Sequence, residues 1–135
     1  MDNNVSGVKG WLLFFIIVFV LLFPFGTIGS LFTNGIFNYN SIFTYWFHLV
    51  IEIFIGLFSF VTGILLFIKH KLAVKIAKIF SVFMIVQSIY RHLFNYFAFS
   101  NDFRNLIESS LYSIVIFSII YSYFQNSKRV RNTYS

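Results

Sequence analysis

Four long apolar runs constrain this chain more than any other feature. A transmembrane helix needs about 20 consecutive, mostly apolar residues at a rise of 1.5 Å per residue. Four runs in the 135 residues meet this need, at approximately 11–31, 46–68, 75–97 and 106–124, and a basic tail follows at 125–135. The sequence therefore predicts an all-α fold, an integral membrane four-helix bundle that forms a single domain over 1–135.

Composition excludes the soluble alternatives. Apolar residues make up 59% of the chain and charged residues 10%, and the mean hydropathy is +0.82. A soluble domain carries about 25% charged residues. A water-soluble fold of this length could not bury 21 Phe, 8 Tyr and 2 Trp, and a disordered chain would be far less apolar. The absence of cysteine excludes disulfides, Cys-ligated zinc and iron–sulfur clusters.

The basic residues predict the orientation of the bundle. Of the ten Lys and Arg residues, Arg104 alone flanks the opposite side of the runs, and Arg91 lies within a run. The other eight are Lys9 and a basic flank formed by Lys69, Lys71, Lys75, Lys78, Lys128, Arg129 and Arg131. The positive-inside rule then places both termini and the 69–78 segment in the cytoplasm. We expect a multi-pass protein of the inner (cytoplasmic) membrane.

The formal net charge of +6 also bears on partners. In a soluble protein it would suggest nucleic acid, but these charges lie beside apolar runs, so we expect no nucleic-acid partner. Basic residues at a membrane surface attract anionic lipid by about 1 kcal/mol per charge. The alternative is that they serve only as a topology signal.

The first run admits a second interpretation. Lys9, an apolar stretch at 11–25 and small residues at 26–30 also fit a signal peptide with a cleavage site. The apolar character continues through Leu31 and Phe32, which favours an uncleaved span. Pro24 lacks an N–H and is expected to kink the far end of this span. Residues 32–45 contain Asn, Gly and Ser and are predicted to be a connecting loop.

Glu52 and Arg91 are ionisable residues inside the predicted spans. Each costs about 2.5–3.5 kcal/mol to insert, so such residues mark candidate sites. Both lie about 9 Å below the outer surface at 1.5 Å per residue, and their opposite signs suggest a pair. The pair could be functional, or it could be a structural ion pair that fixes helix register. Arg91 could instead extend to the surface without a partner.

Polar neighbours extend this candidate site. His48 and Glu52 are four residues apart and share a helix face, which continues through Gly56, Ser59 and Gly63, small residues that let another helix approach closely. These groups collect in the outer half of the bundle, which favours either an outward-facing cavity or ordinary helix contacts near the interface. The candidate intramembrane polar site comprises Glu52, Arg91, His48, His92, Gln87 and Asn95.

Ligand-binding and catalytic motifs are weak. His48, Glu52 and His92 could together hold a metal, and two histidines could hold haem, but no tight ligand spacing occurs. We therefore expect no metal and no cofactor. The sequence has no Gly-x-Ser-x-Gly elbow, no phosphate-binding Gly loop and no closely spaced catalytic carboxylates, so we expect no enzymatic activity.

The two ends of the chain resemble those of a known family. The opening is Gly7-Val8-Lys9-Gly10-Trp11-Leu12, and the closing is Tyr123-Phe124-x-x-Ser127-Lys128-Arg129-Val130-x-x-Thr133-Tyr134. These segments resemble the bacterial inner-membrane family called domain of unknown function 2569. The chain departs from that pattern at Ile120 and Ser122, where the family shows Trp and Pro. The resemblance implies four membrane spans and no assigned activity, so it implies no catalytic residue.

Two functional hypotheses follow. The first is a non-enzymatic interaction or accessory protein that contacts another envelope component, either a protein partner or a second copy, through a helix face or the tail. The small-residue face of the second span and the signature tail motivate it. The second is a small transporter or solute-binding protein with an outward-facing polar cavity around Glu52 and Arg91.

Overall fold

The computed structural model describes residues 8–33, 42–99 and 103–134, and within these ranges the chain is helical with short turns and no strand. Four helical stretches are long and apolar enough to cross a membrane, which confirms the prediction of a helical fold with four potential spans. The elements are α1 (Trp11–Ile17), a π-helical segment (Val18–Leu22), α2 (Phe23–Thr33), α3 (Ile42–Phe67), α4 (Ala73–Phe99), α5 (Phe103–Asn126) and α6 (Lys128–Tyr134). The first span comprises α1, the π segment and α2.

Some element ends differ from the predicted bounds. Within the predicted 32–45 loop, α2 continues to Thr33 and α3 begins at Ile42. The Asn and Gly turn residues of that loop fall at 34–41, outside the described residues, whereas 42–45 holds Ile, Phe, Thr and Tyr, which a membrane helix accepts. Helix α4 already begins at Ala73, because Lys75 and Lys78 can extend their charges to the interface while the backbone stays helical.

Pro24 distorts the first span but does not end the helix. Its missing N–H, and the crowding of its ring against the carbonyl four residues earlier, are accommodated by the π segment just before it. The N–H of Phe23 bonds to the carbonyl of Val18, five residues back. The Phe19 carbonyl therefore loses its α-helical donor, and its π-helical donor would be residue 24, which has none. Ser59 Oγ of α3 donates to that carbonyl at 2.8 Å.

The small residues of α3 make this close contact possible. A Cβ at Gly63 would lie 2.5 Å from Val20 Cγ2, and one at Gly56 would lie 2.7 Å from Thr27 Oγ1. The prediction that this face admits a neighbouring helix is confirmed. The neighbour is the chain's own first span, so this face is not free for another protein.

Phenylalanine rings join the four spans. Phe80 of α4 packs at 5.3 Å from Phe19 and 5.5 Å from Phe23 of the first span, and at 5.2 Å from Phe58 of α3. Phe23 also stacks on Phe117 of α5 at 5.7 Å. Offset and edge-to-face ring pairs of this kind contribute about 0.5–1.5 kcal/mol each beyond their buried area. The ring cluster places α4 and α5 on the pair formed by the first span and α3.

A tight turn joins α3 to α4. The His70 N–H bonds to the Leu65 carbonyl at 2.9 Å and the Lys69 N–H bonds to the Leu66 carbonyl at 3.3 Å. With Lys69 at φ 57°, this is the Schellman arrangement that satisfies helix C-terminal carbonyls. The turn brings the first residues of α4 back beside the end of α3.

The basic tail forms a docked helix, which the sequence pattern does not predict. Ser127 caps it, since its Oγ accepts the Val130 N–H at 3.4 Å. Val130 is 2% exposed, and the Tyr134 hydroxyl donates to the Leu66 carbonyl at 2.5 Å. Helix α6 thus lies against the end of α3. We call this end of the bundle, with Lys9, the 68–72 turn and α6, the basic end.

Candidate functional site

Glu52 and Arg91 contact each other inside the bundle. Arg91 Nη1 on α4 lies 3.3 Å from Glu52 Oε1 on α3. The Glu52 side chain is 13% exposed and that of Arg91 is 40% exposed. Arg91 therefore does have a partner, and the pair joins two helices within the membrane-spanning region.

The predicted polar neighbours are only partly brought together. His48 is buried, and its ring lies 4.6 Å from the ring of Phe94 on α4. Gln87 is also buried, and its Oε1 has no hydrogen-bond partner within the described ranges. His92 and Asn95 are half-buried. The described residues contain no cluster of three or more His, Asp or Glu side chains that could hold a metal ion.

The basic end carries a second polar cluster, formed by α4, the end of α5 and α6. A cavity of about 320 Å³ opens there, and we call it the tail cavity. Lys78 Nζ donates to Gln125 Oε1 at 2.9 Å. The lining comprises Lys71, Val74, Lys78, Phe124, Gln125, Ser127, Val130, Arg131 and Tyr134. Lys71, Lys78 and Arg131 belong to the predicted basic flank, but the cavity itself depends on the docking of α6.

Carboxylates are remote from the tail cavity. The acidic residues that the structure describes are Glu52, paired with Arg91, and Glu108, paired with Arg104 at 2.7 Å near the start of α5. The start of α5 lies at the opposite end of the bundle. No described carboxylate therefore offsets the positive charge of the basic end.

Tyr134 attaches the last turn of α6 to the end of α3. Burial raises its pKa to about 12, with a smaller contribution from nearby Tyr123. The phenol is protonated at neutral pH and donates to the Leu66 carbonyl at the end of α3.

Helix α5 combines low hydropathy with high exposure. We compare the spans by the mean hydropathy of an 18-residue window within each of them. This value is 1.4 for α5, close to the 1.5 of α4 and far below the 2.7 of the first span and the 2.5 of α3. Only 11% of the α5 window is buried, against 39% for α4. One exposed face of α5 repeats at four- and three-residue steps and comprises Leu111, Val115, Ser118 and Ser122, here called the α5 face.

A known protein family matches nearly the whole chain. The family model described as "Protein of unknown function (DUF2569)" matches residues 5–135, and the chain belongs to this family. This confirms the resemblance seen in the sequence. No curated protein and no solved structure matches the chain.

The two terminal motifs meet at the basic end. Arg129 Nη1 from the closing motif donates to the Lys9 carbonyl of the opening motif at 2.6 Å. Gly10 adopts φ 58° and ψ −133°, a conformation that other residues rarely adopt. A Cβ on Gly10 would also lie 2.9 Å from Arg129 Nη1. The opening and closing motifs therefore form one structural unit, although 120 positions separate Lys9 from Arg129.

The raised pKa of Tyr134 predicts how the docking of α6 depends on pH. The folded pKa of about 12 exceeds the ordinary value of about 10, so this contribution to stability is complete below pH 10 and is lost as the pH rises through 12. We expect the phenolate absorbance of wild type minus Tyr134→Phe, measured in detergent, to appear near pH 12. A difference spectrum that titrates near pH 10 would show that Tyr134 is not docked.

Proposed function

We propose that this DUF2569 protein is a non-enzymatic, multi-pass accessory protein of the cytoplasmic membrane, which acts by binding a transmembrane helix of another chain through the α5 face. The observation that carries the proposal is that α5 is both the least apolar and the least buried of the four spans. The charge asymmetry of the sequence supports placing both termini in the cytoplasm.

Lipid and protein neighbours demand different helix surfaces. A helix face in contact with acyl chains is best made of apolar side chains, because hydrocarbon offers hydroxyl groups no partner. Helix α4 has nearly the same mean hydropathy as α5, but 39% of the α4 span is buried in the bundle, against 11% for α5. A transmembrane helix of another chain, packed against α5, would explain why α5 is so exposed in the isolated bundle.

The α5 face has the composition of a helix–helix interface. Ser118 and Ser122 are exposed and four residues apart, a small-xxx-small spacing that allows close backbone approach and interhelical hydrogen bonds. Leu111 and Val115 extend the face by the spacing that lets side chains of two helices interdigitate. The small-residue face of α3 cannot serve this purpose, because the first span covers it.

Cross-linking from α5 tests the proposal. The chain has no cysteine, so Ser118→Cys can carry a photoreactive maleimide without background labelling. In native membranes we expect one discrete protein adduct, at twice the chain mass if the neighbour is a second copy. Adding Ser122→Leu should reduce its yield about fivefold or more, because the larger side chain blocks close approach.

The matched control is Val61→Cys with the same probe. Val61 lies on α3 at a similar distance from the basic end and is 49% exposed, but its face lacks the paired serines. It should give lipid adducts without a discrete protein band. The proposal fails if Ser118→Cys also gives lipid adducts alone, or if Ser122→Leu leaves the protein adduct unchanged.

A second candidate function rests on the Glu52–Arg91 pair. A charged pair inside the membrane, with the buried Gln87 Oε1 making no hydrogen bond among the described residues, supports a solute-binding or transport role, for which we propose an outward-facing cavity around the pair. Such a site would take an anionic or proton-coupled solute, with Arg91 as its cationic group.

Melting shifts test this second candidate. We expect benzoate or inorganic phosphate to raise the melting temperature of the wild type, and we expect Glu52→Gln and Arg91→Ala to abolish that shift. Arg104→Ala is the control, because it removes an arginine from the exposed pair with Glu108. The absence of a shift in the wild type, or an equal shift in all variants, would contradict a role for the pair in binding either anion.

A further inference from the structure

Two openings on the protein surface share one lysine. The tail cavity is lined in part by Lys71, Lys78 and Arg131. A second opening of about 450 Å³ lies along α4, and we call it the α4 groove. Its lining comprises Lys75, Lys78, Ile79, Val82, Phe83 and Tyr121. Lys78 therefore lies where the polar, basic tail cavity meets the largely apolar α4 groove.

The charges of these openings are not neutralised by described parts of the protein. Lys71, Lys75, Lys78 and Arg131 lie within a few helical turns of one another, and the described carboxylates are engaged elsewhere. The hydrogen bond from Lys78 to Gln125 has a neutral acceptor. Like charges held this close repel each other, so an anion at their centre would be stabilised.

The α4 groove has the direction and chemistry of an acyl-chain site. From Lys75 to Phe83 it follows α4 for about 12 Å at 1.5 Å per residue. It leads from the basic end toward the middle of the membrane span. Ile79 and Val82 are half-exposed apolar residues at its surface, and Tyr121 of α5 lies at its margin. A lipid of the adjacent leaflet runs in the same direction, with its charge at the basic end.

We propose that the tail cavity and the α4 groove form one binding site for an anionic phospholipid. Lys71, Lys78 and Arg131 hold the phosphate, and one acyl chain lies along Ile79 and Val82. Basic pockets between transmembrane helices are suited to anionic headgroups. No lining residue of this site belongs to the α5 face, and the proposal does not depend on the function proposed above.

The structure favours a lipid over a soluble phosphate. A soluble anion would occupy the tail cavity but would leave the adjoining α4 groove empty. A phospholipid satisfies both parts, since its phosphate neutralises the cations and its acyl chain covers Ile79 and Val82. The docking of α6 contributes Arg131 and Tyr134 to the lining, so the tail helix becomes part of the binding site and not only a topology signal.

Lipid binding by matched variants tests the proposal. Native mass spectrometry of the protein in neutral detergent would measure retention of phosphatidylglycerol against phosphatidylcholine. We expect the wild type to retain phosphatidylglycerol selectively. Lys78→Gln and Arg131→Gln should each lower the affinity about fivefold, as expected for about 1 kcal/mol per charge. Lys128→Gln makes the same charge change at the same end, outside both linings, and should have little effect.

A second pair of variants tests the apolar half without touching charge. Val82→Trp fills the α4 groove and should also lower phosphatidylglycerol retention about fivefold or more. Val86→Trp, one turn further along α4 at a position 62% exposed, should leave retention unchanged. Equal retention in Lys78→Gln and Lys128→Gln, or in both Trp variants, would overturn the site. Stabilisation by inorganic phosphate that equals that by phosphatidylglycerol and is lost in Lys78→Gln would also overturn it, in favour of a soluble anion at the basic end.

Discussion

The rest of the structure depends on how one backbone carbonyl is satisfied inside the membrane. Pro24 and the π segment leave the Phe19 carbonyl without a donor from its own helix, and hydrocarbon supplies none. Ser59 provides the hydrogen bond from α3, with both residues fully buried. A defect in one helix thus becomes a specific attachment point for another, and it sets the register of the first span against α3.

This attachment determines which surfaces remain for function. Because Gly56, Ser59 and Gly63 of α3 pack against the first span, the small-residue face of α3 is already covered within the chain. The phenylalanine cluster then positions α4 and α5, and α5 is left at the margin with little cover. At the basic end, Tyr134 closes α6 onto α3 and creates the tail cavity. The α5 face and the proposed lipid site therefore lie on surfaces that the internal packing leaves open.

Much of the fold, but little of the site, can be predicted from the sequence. Apolar runs about 20 residues long are sufficient to predict four spans, because the bilayer sets their length. Equal depth and opposite charge predict the Glu52–Arg91 pair, and the structure brings the two side chains together. The hydrogen bond from Ser59 to Phe19 spans 40 positions, and that from Tyr134 to Leu66 spans 68. No local pattern encodes such contacts, and the exposure of α5 likewise emerges only once the other helices are packed.

A double-mutant cycle between Ser59 and Pro24 tests the central claim most directly, with the free energy of unfolding measured in mixed micelles. In the wild-type background, Ser59→Ala should cost about 1 kcal/mol, because the Phe19 carbonyl stays buried and loses its donor. In a Pro24→Ala background, the restored N–H lets the helix close, so Phe23 can donate to Phe19 and Ser59→Ala should cost almost nothing. An equal cost in both backgrounds would show that Ser59 does not compensate for Pro24.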